Sequence, residues 1–234
     1  MKMIIVGSGT PLGLALADAL IRRDVETLCP DRANQLPISS YFATADQSDI
    51  DCVFYLARGS TYFPAVCDAC CHHNVKLVFT SSLTEDDRLK EQYARDYNKS
   101  ASCVRIMDVY GPEPRKGTLL WQLLNYEHIE LSNEGKTLRH YTYISDVVEA
   151  LIYAYGCGRE LVSAINPERY TEMQLAECVR DFKPLEINAV RERWPCGTRQ
   201  SAFSDAIYNV PLHYKPLTEG IKRIFEKYGQ TITK

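Results

Sequence analysis

Short apolar runs alternate with amphipathic stretches along the first half of the chain. Apolar runs predict β-strands at residues 3–6, 26–29, 41–44, 52–57, 76–81 and 102–107, and stretches with the helical period predict α-helices at 12–23, 62–73 and 85–97. This alternation is typical of a parallel sheet with helices on both faces, which binds its ligands at the carboxyl ends of the strands. We therefore predict an α/β fold built on a doubly wound parallel sheet.

The pattern changes from about residue 113. The segments at 121–124, 130–132 and 139–144 are short, two amphipathic helices follow at 146–155 and 171–181, and a last helix is predicted at 216–228. Thr171 and Gln174 have the spacing of a capping box, which predicts the start of a helix. We predict a sheet core over residues 1–112 and a small C-terminal α+β lobe over 113–234, from which some segments return to the core.

Composition excludes several classes of partner. The 27 Lys and Arg residues and 30 Asp and Glu residues give a formal net charge of −3, and the two signs are interspersed, so we expect no nucleic-acid partner and no membrane surface. No apolar run approaches the roughly 18 residues that cross a bilayer, and the first residues look like a strand rather than a signal peptide. Nine cysteines without framework spacing favour reduced thiols, so we expect a cytoplasmic protein.

One cysteine cluster could be a metal site. Cys67, Cys70, Cys71, His72 and His73 are close in sequence, but a second ligand pair at metal spacing is absent. The cluster falls at the end of a predicted helix, where small thiols pack well against a sheet. We predict that these cysteines are structural and that no metal is bound, with zinc or iron as the alternative.

The most informative motif joins the first strand to the first helix. Residues 6–13 read Val-Gly-Ser-Gly-Thr-Pro-Leu-Gly, so Gly7, Gly9, Thr10 and Gly13 line the turn. Glycines there allow close approach of a pyrophosphate, and the helix N-terminus offers unpaired N–H groups to it. The motif predicts a dinucleotide cradle, and a tight turn without a ligand is the alternative.

Acidic residues after the next strands bear on which dinucleotide is bound. Asp31 follows the second predicted strand, 18 residues beyond Gly13, close to the spacing at which a carboxylate binds the ribose hydroxyls. Asp31 therefore favours NAD, whereas the neighbouring Arg32 could hold the 2′-phosphate of NADP. For Asp31 and for Asp46, the alternative is a solvated loop charge.

Several further segments resemble the extended short-chain dehydrogenases/reductases of the NAD-dependent epimerase/dehydratase family, which act on nucleotide sugars. The resemblance covers nearly the whole chain and implies a Rossmann fold. Its carriers include Val-Phe-Tyr-Leu-Ala at 53–57, Leu-Val-Phe-Thr-Ser-Ser at 77–82, Val-Arg-Ile-Met-Asp-Val-Tyr-Gly-Pro at 104–112 and the Arg…Ser-Asp-Val-Val segment at 139–148.

The resemblance also implies roles for individual residues. Arg139 matches the position that clamps the substrate diphosphate, and Ser82 matches the catalytic Ser/Thr that hydrogen-bonds the reacting sugar oxygen; a helix-capping hydroxyl is the alternative for Ser82. The remaining implied contacts are Gly7 and Gly13 to the pyrophosphate, Asp31 to the adenosine ribose, Asp46 to the adenine edge and Ala57 to the nicotinamide half.

The chain departs from the family at its catalytic pair, a Tyr followed four residues later by Lys. None of the 15 tyrosines has a Lys at that distance, and Ser82 lies only 22 residues before Val104, as if the segment had been deleted. Lys90, Tyr93 and Tyr97 remain as substitutes, and Tyr93 is our catalytic candidate. The alternative is that Tyr93 and Tyr97 form the buried stripe of a helix together with Leu89.

Two other departures concern binding. Thr10 stands where the family has its middle glycine, and Asp108 replaces the usual Asn, which disfavours an anion beside it. Two hypotheses follow: an atypical NAD-dependent enzyme acting on nucleotide sugars, or a non-catalytic module or partner subunit that binds a dinucleotide or nucleotide sugar. The family also implies a homodimer.

Overall fold

The computed structural model describes residues 1–30, 50–82, 84–191 and 208–232. Its helices are α1 (Pro11–Ile21), α2 (Phe63–His72), α3 (Glu85–Tyr97), α4 (Leu119–Asn125), α5 (Ile144–Gly156), α6 (Glu172–Arg180) and α7 (Leu217–Ile232). Its strands are β1 (Lys2–Val6), β2 (Glu26–Leu28), β3 (Ile50–Tyr55), β4 (Lys76–Ser81), β5 (Ser102–Ile106), β6 (Val109–Tyr110), β7 (His128–Leu131), β8 (Leu138–Arg139), β9 (Thr142–Tyr143), β10 (Leu161–Ala164), β11 (Tyr170–Thr171) and β12 (Glu186–Ala189). The predicted strand at 41–44 lies outside the described residues.

The chain divides into two compact units. Unit 1 comprises Met1–Ile106, Val147–Ala164 and Asp205–Leu212, and unit 2 comprises Met107–Asp146, Ile165–Ser204 and His213–Lys234. The first division therefore falls at Ile106, whereas the sequence pattern placed it at residue 112. Two later stretches of the chain form part of unit 1.

Unit 1 contains a six-stranded sheet in the order β10-β5-β4-β3-β1-β2. Every neighbouring pair in it is parallel, which confirms the predicted α/β class. The central strands are apolar because they are buried, and Ile4, Val53 and Leu77 are fully inaccessible to solvent. Strand β10 was not predicted from the sequence; it forms one edge of this sheet beside β5.

The sheet order reverses beside β1, which has β2 on one side and β3 on the other. Ligands of open α/β sheets bind outside the carboxyl ends of the strands at such a point. Gly7 follows the carboxyl end of β1, and Leu56 and Ala57 follow that of β3. The fold therefore brings the glycine turn to the expected place.

The face that α3 buries differs from the prediction. Leu89 is 58% exposed and Tyr97 is 61% exposed, so the predicted apolar stripe is wrong. The helix instead buries Asp87, Lys90, Glu91 and Ala94. These positions have the same helical period as an apolar stripe, but the charged ones are paired, which makes their burial tolerable.

Unit 2 is built from short elements around its own core. Its three two-stranded sheets are β11-β8, β12-β7 and β6-β9. The predicted capping box at the start of α6 is confirmed, because Thr171 and Gln174 each bond the other's backbone N–H. Across the described ranges of both units, no helix combines the length and apolar character needed to span a bilayer.

Candidate functional site

The glycine turn after β1 has one face that no described residue covers. Gly7 has φ +91°, and a Cβ there would lie 2.7 Å from the Ala57 nitrogen; a Cβ on Gly13 would lie 2.3 Å from the Gly7 oxygen. Both glycines are therefore required by the packing of the protein itself. Among the residues that the structure describes, a Cβ on Gly9 would meet nothing within 4 Å, so Gly9 is the position at which a ligand could approach the backbone.

The first turn of α1 is capped by Thr10. Its Oγ1 accepts a hydrogen bond from the Gly13 nitrogen at 3.1 Å and donates to the Gly7 oxygen at 2.8 Å. Pro11 has no N–H, and among the described residues the N–H of Leu12 has no acceptor. This N–H and the open face of Gly9 fit the pyrophosphate of a dinucleotide, since anions bind at helix N-termini through such donors.

Of the four other residues predicted to bind the cofactor, the structure describes Ala57. Ala57 contacts the turn, because its nitrogen is the nearest atom to a Cβ on Gly7. Asp31, Arg32 and Asp46 lie outside the described residues.

Ser82, at the end of β4, is bound by the side chain of Asp87. Oδ2 of Asp87 accepts from the Ser82 hydroxyl at 2.6 Å and from the Ser82 nitrogen at 2.7 Å. Thr84 caps the same helix and accepts from the Asp87 nitrogen. Asp87 thus reaches back past the N-cap residue Thr84, and the hydroxyl proton of Ser82 is directed towards it.

Lys90 completes this cluster. Its Nζ lies 2.7 Å from Oδ1 of Asp87, donates to the Thr80 oxygen at 3.2 Å and lies 5.6 Å from the centre of the Tyr55 ring. Only 2% of the Lys90 side chain is exposed. An ammonium with three donors is thus surrounded by three protein groups, and it acts as the counter-ion of Asp87.

The cluster shifts the pKa values of Asp87 and Tyr55. Burial disfavours the charged carboxyl of Asp87, but hydrogen bonds from Lys90 and Ser82 outweigh it and lower the pKa of Asp87. Burial, with the nearby negative charge of Asp87, raises the pKa of Tyr55 to about 12. Asp87 is therefore ionised at neutral pH, and Tyr55 keeps its proton.

Tyr93 has other partners than Ser82. Its hydroxyl lies 3.0 Å from both carboxylate oxygens of Asp68 on α2, and its ring lies 4.5 Å from that of Tyr97. Burial and the hydrogen bond to Asp68 raise the pKa of Tyr93. This shift is opposite to the one that a neighbouring lysine would produce, so the phenol is a weaker proton donor in this setting.

Arg139, in unit 2, is held by two carboxylates. Oε1 of Glu172 accepts from its Nε at 3.1 Å and from its Nη2 at 2.9 Å, and Oδ1 of Asp108 lies 3.9 Å from its Nη1. Although partial burial opposes the charge, these neighbours raise the pKa of Arg139. The guanidinium proposed to clamp a diphosphate is therefore neutralised by the protein.

Sequence reasoning missed Asp87 and Glu172. The Thr-x-x-Asp spacing from Thr84 to Asp87 at the start of α3 is a capping pattern and could have identified the first. No local signal identifies Glu172 as the partner of Arg139, because the two are 33 positions apart.

The cysteine cluster is divided between the core and the surface. Cys67 and Cys70 are fully buried, as predicted for packing against the sheet, whereas Cys71 is exposed. Burial raises the pKa of Cys67 to about 12, which opposes formation of the thiolate that a metal requires. Among the residues that the structure describes, no three His, Cys, Asp or Glu side chains are grouped as metal ligands.

Comparison of the sequence with known proteins gives matches to parts of the chain. Residues 84–164 match the model of the NAD dependent epimerase/dehydratase family. Protein CapI of Staphylococcus aureus is 27% identical over 78 residues, which is 32% of this chain and 23% of CapI. An uncharacterised 37.6 kDa protein of Escherichia coli O111:H- is 29% identical over 109 residues, 43% of this chain and 32% of that protein. The matches thus span a third or less of the length of these relatives.

Solved structures share the fold over nearly the whole chain. The NAD-dependent NDP-hexosamine 5,6-dehydratase TunA is 18% identical, with a TM-score of 0.71 over 98% of each chain. UDP-glucose 4-epimerase of Thermus thermophilus, solved with NAD, is 15% identical, with a TM-score of 0.70 over 96% of this chain and 99% of that one. The Thermotoga maritima UDP-glucose 4-epimerase, solved with UDP-glucose, is 15% identical, with a TM-score of 0.71 over 99% of this chain and 100% of that one. The resemblance of this chain to the NAD-dependent epimerase/dehydratase family is therefore confirmed, on the α/β fold that those enzymes share.

Proposed function

We propose that the chain binds NAD at the turn between β1 and α1, as a nucleotide-sugar epimerase/dehydratase type of protein with atypical catalysis. The observation that carries this proposal is the open face of Gly9 beside the unpaired N–H of Leu12. Similar folds that hold NAD support the choice of cofactor, and NADP is the alternative. The residues proposed to hold the dinucleotide are Gly7, Gly9, Thr10, Gly13, Asp31, Arg32, Asp46 and Ala57.

A bound NAD would supply a hydride acceptor or donor. The proposed ligand of unit 2 is a nucleotide sugar, with Arg139 and Asp108 as the binding candidates. The Ser82 hydroxyl donates a hydrogen bond to Asp87, so its oxygen would accept a hydrogen bond from a ligand hydroxyl. Tyr93 is the remaining proton-transfer candidate. We also propose a cytoplasmic protein that forms a homodimer.

A non-catalytic binding module or partner subunit is the second candidate. It is favoured by the burial of Lys90, whose ammonium is bound to Asp87 and Thr80. In the family pattern, the corresponding lysine lowers the pKa of a tyrosine four residues before it, and this sequence has no such tyrosine. Incubation with NAD and a panel of UDP-sugars separates the two candidates: absorbance of reduced cofactor that depends on the sugar supports an enzyme, and its absence across the panel supports the module.

Calorimetric titration of the full chain with NAD and NADP tests the cofactor site. Dinucleotide that co-purifies is first released by heat and identified in the supernatant. The decisive variant is Gly9→Asp, which places a carboxylate in the open face without a clash. We expect it to weaken NAD binding by at least about tenfold, because like charges repel.

The matched control is Gly156→Asp. A Cβ on Gly156 also meets no atom of the described ranges within 4 Å, and the change in net charge is the same. This control should bind NAD like the native chain. If the native chain binds neither dinucleotide, or if Gly9→Asp binds NAD equally well, the cofactor proposal is wrong.

A further inference from the structure

Arg139 faces two carboxylates. One guanidinium faces the carboxylates of Glu172 and Asp108, which gives the three side chains a formal charge of −1. Their side chains are 35%, 14% and 28% exposed, respectively, so a solute can reach the group. Burial and the charges of Glu172 and Asp108 raise the pKa of the adjacent Tyr141, in agreement with a net negative environment.

The backbone fixes the position of Glu172. This residue begins α6 directly after β11, and β11 pairs with β8 so that Tyr170 is opposite Arg139. The Glu172 nitrogen also donates to the Thr137 oxygen at 3.0 Å. A carboxylate in the first turn of a helix is favoured by the helix dipole. Glu172 is therefore held beside Arg139 by local structure and needs no ligand to place it there.

A carboxylate lies at each of two sides of the guanidinium. Glu172 takes the edge formed by Nε and Nη2, which is the edge that binds an oxyanion in a bidentate manner. Asp108 lies towards Nη1. A phosphate group that approached Arg139 would have to displace Glu172, and it would then share one cation with two carboxylates.

We propose that Glu172 is a specificity-determining residue that occupies Arg139 as an internal ligand, competes with the diphosphate of a nucleotide sugar for the guanidinium and so lowers the affinity of the site for it. The inference rests on the proposed function, since it takes a nucleoside diphosphate as the ligand offered to Arg139. Removal of the Glu172 charge then converts a self-neutralised arginine into an anion site.

The test is the affinity of the full chain for UDP, measured by calorimetry. Glu172→Gln keeps an oxygen that can accept from Arg139 but removes the negative charge. We expect this variant to bind UDP at least about tenfold more tightly than the native chain, with a steeper dependence on salt, because charge repulsion at the site is relieved. Addition of Arg139→Gln to it should abolish the gain.

Two other variants make the result specific. Glu177→Gln removes the same charge from an exposed position of α6, where Glu177 is 4.0 Å from Arg180, and it should bind UDP like the native chain. Asp108→Asn should give a smaller gain; Asn tolerates the φ of +41° at this position, so this variant serves if Glu172→Gln does not fold.

The inference is overturned if folded Glu172→Gln binds UDP no more tightly than Glu177→Gln, or if its gain survives Arg139→Gln. Titration of the same preparations with NAD keeps the two proposals apart. If the native chain does not bind NAD, the proposed cofactor site in unit 1 is wrong. The UDP comparison decides only the role of Glu172 in unit 2.

Discussion

The ammonium of Lys90 lies 2.7 Å from Oδ1 of Asp87, and the second carboxylate oxygen of Asp87 accepts the hydroxyl of Ser82 at 2.6 Å. The two charged side chains are 2% and 12% exposed. A charge pair so far removed from water depends on both partners, because either charge alone would be poorly solvated. Because Asp87 of α3 bonds both Lys90 and Ser82, the position of Ser82 depends on the stability of α3.

Loss of the Lys90 charge should therefore destabilise the protein. We expect Lys90→Met to lower the free energy of unfolding by about 3 kcal/mol, because Asp87 is left buried without its counter-ion. Urea unfolding followed by circular dichroism measures the change. Lys222→Met is the control: this lysine is 64% exposed and 3.9 Å from Glu226, so its loss should change stability by less than about 0.5 kcal/mol. Equal effects of the two substitutions would show that the buried pair contributes nothing.

The lowered pKa of Asp87 predicts a loss of stability in acid. Because the pKa in the folded chain lies below the unfolded value, the unfolded chain binds the proton more readily. The contribution of Asp87 is therefore fully present above the unfolded pKa of about 3.9 and is lost as the pH falls through the folded pKa. Unfolding of the native chain and of Asp87→Asn, measured from neutral pH downwards, should give free energies that converge in acid. A difference that stays constant with pH would contradict the prediction.

Gly220 and Tyr110 are packed too closely for a larger side chain. A Cβ on Gly220 would lie 2.0 Å from the Tyr110 hydroxyl oxygen, which is buried and has no hydrogen-bond partner among the described residues. We expect Gly220→Ala to destabilise the protein by about 2 kcal/mol through overpacking. Tyr110→Phe should be neutral or slightly stabilising, since it removes an unpaired polar atom.

The double variant tests the proposed contact between these two residues. Tyr110→Phe should recover part of the loss caused by Gly220→Ala, because the oxygen is the nearest atom to the added methyl group. Gly156→Ala, which introduces a methyl group into open space, should not destabilise the protein. Additive effects in the double variant would show that the two residues are not coupled.

The glycines of the β1–α1 turn should respond differently to alanine. Gly7→Ala forces a side chain onto a residue at φ +91° and brings its Cβ to 2.7 Å from the Ala57 nitrogen, so we expect a loss of about 2 kcal/mol or more. Gly9→Ala has free space around its Cβ and should leave thermal unfolding unchanged. A similar melting temperature for both variants would contradict the assignment of Gly7 to packing and Gly9 to the open face.

Much of the fold was predictable because strand and helix signals in unit 1 are local. The apolar runs of β1, β3 and β4 and the bounds of α3 could be read directly from the sequence. The buried face of α3 could not, since Asp87, Lys90 and Glu91 become suitable for the interior only when Ser82 and Arg105 supply their partners. Hydrophobic periodicity does not record such pairing.

The candidate site was predictable to a smaller extent. The glycine turn has a local signature, and Gly7 and Gly13 lie where that signature requires. The neutralisation of Arg139 depends on the pairing of β8 with β11, which joins distant parts of the chain. Pairing between distant short strands leaves no periodic trace in a single sequence.

The pairing of unit 1 with its last stretch has a consequence for synthesis of the protein. The Ser163 nitrogen donates to the Tyr208 oxygen, and the Val210 nitrogen donates to the Ser163 oxygen, both at 2.9 Å. These bonds at the β10 edge of the sheet can therefore form only after residue 210 has been synthesised. Until then, this edge has unpaired backbone N–H and C=O groups, and a strand of another chain can pair with an edge of that kind.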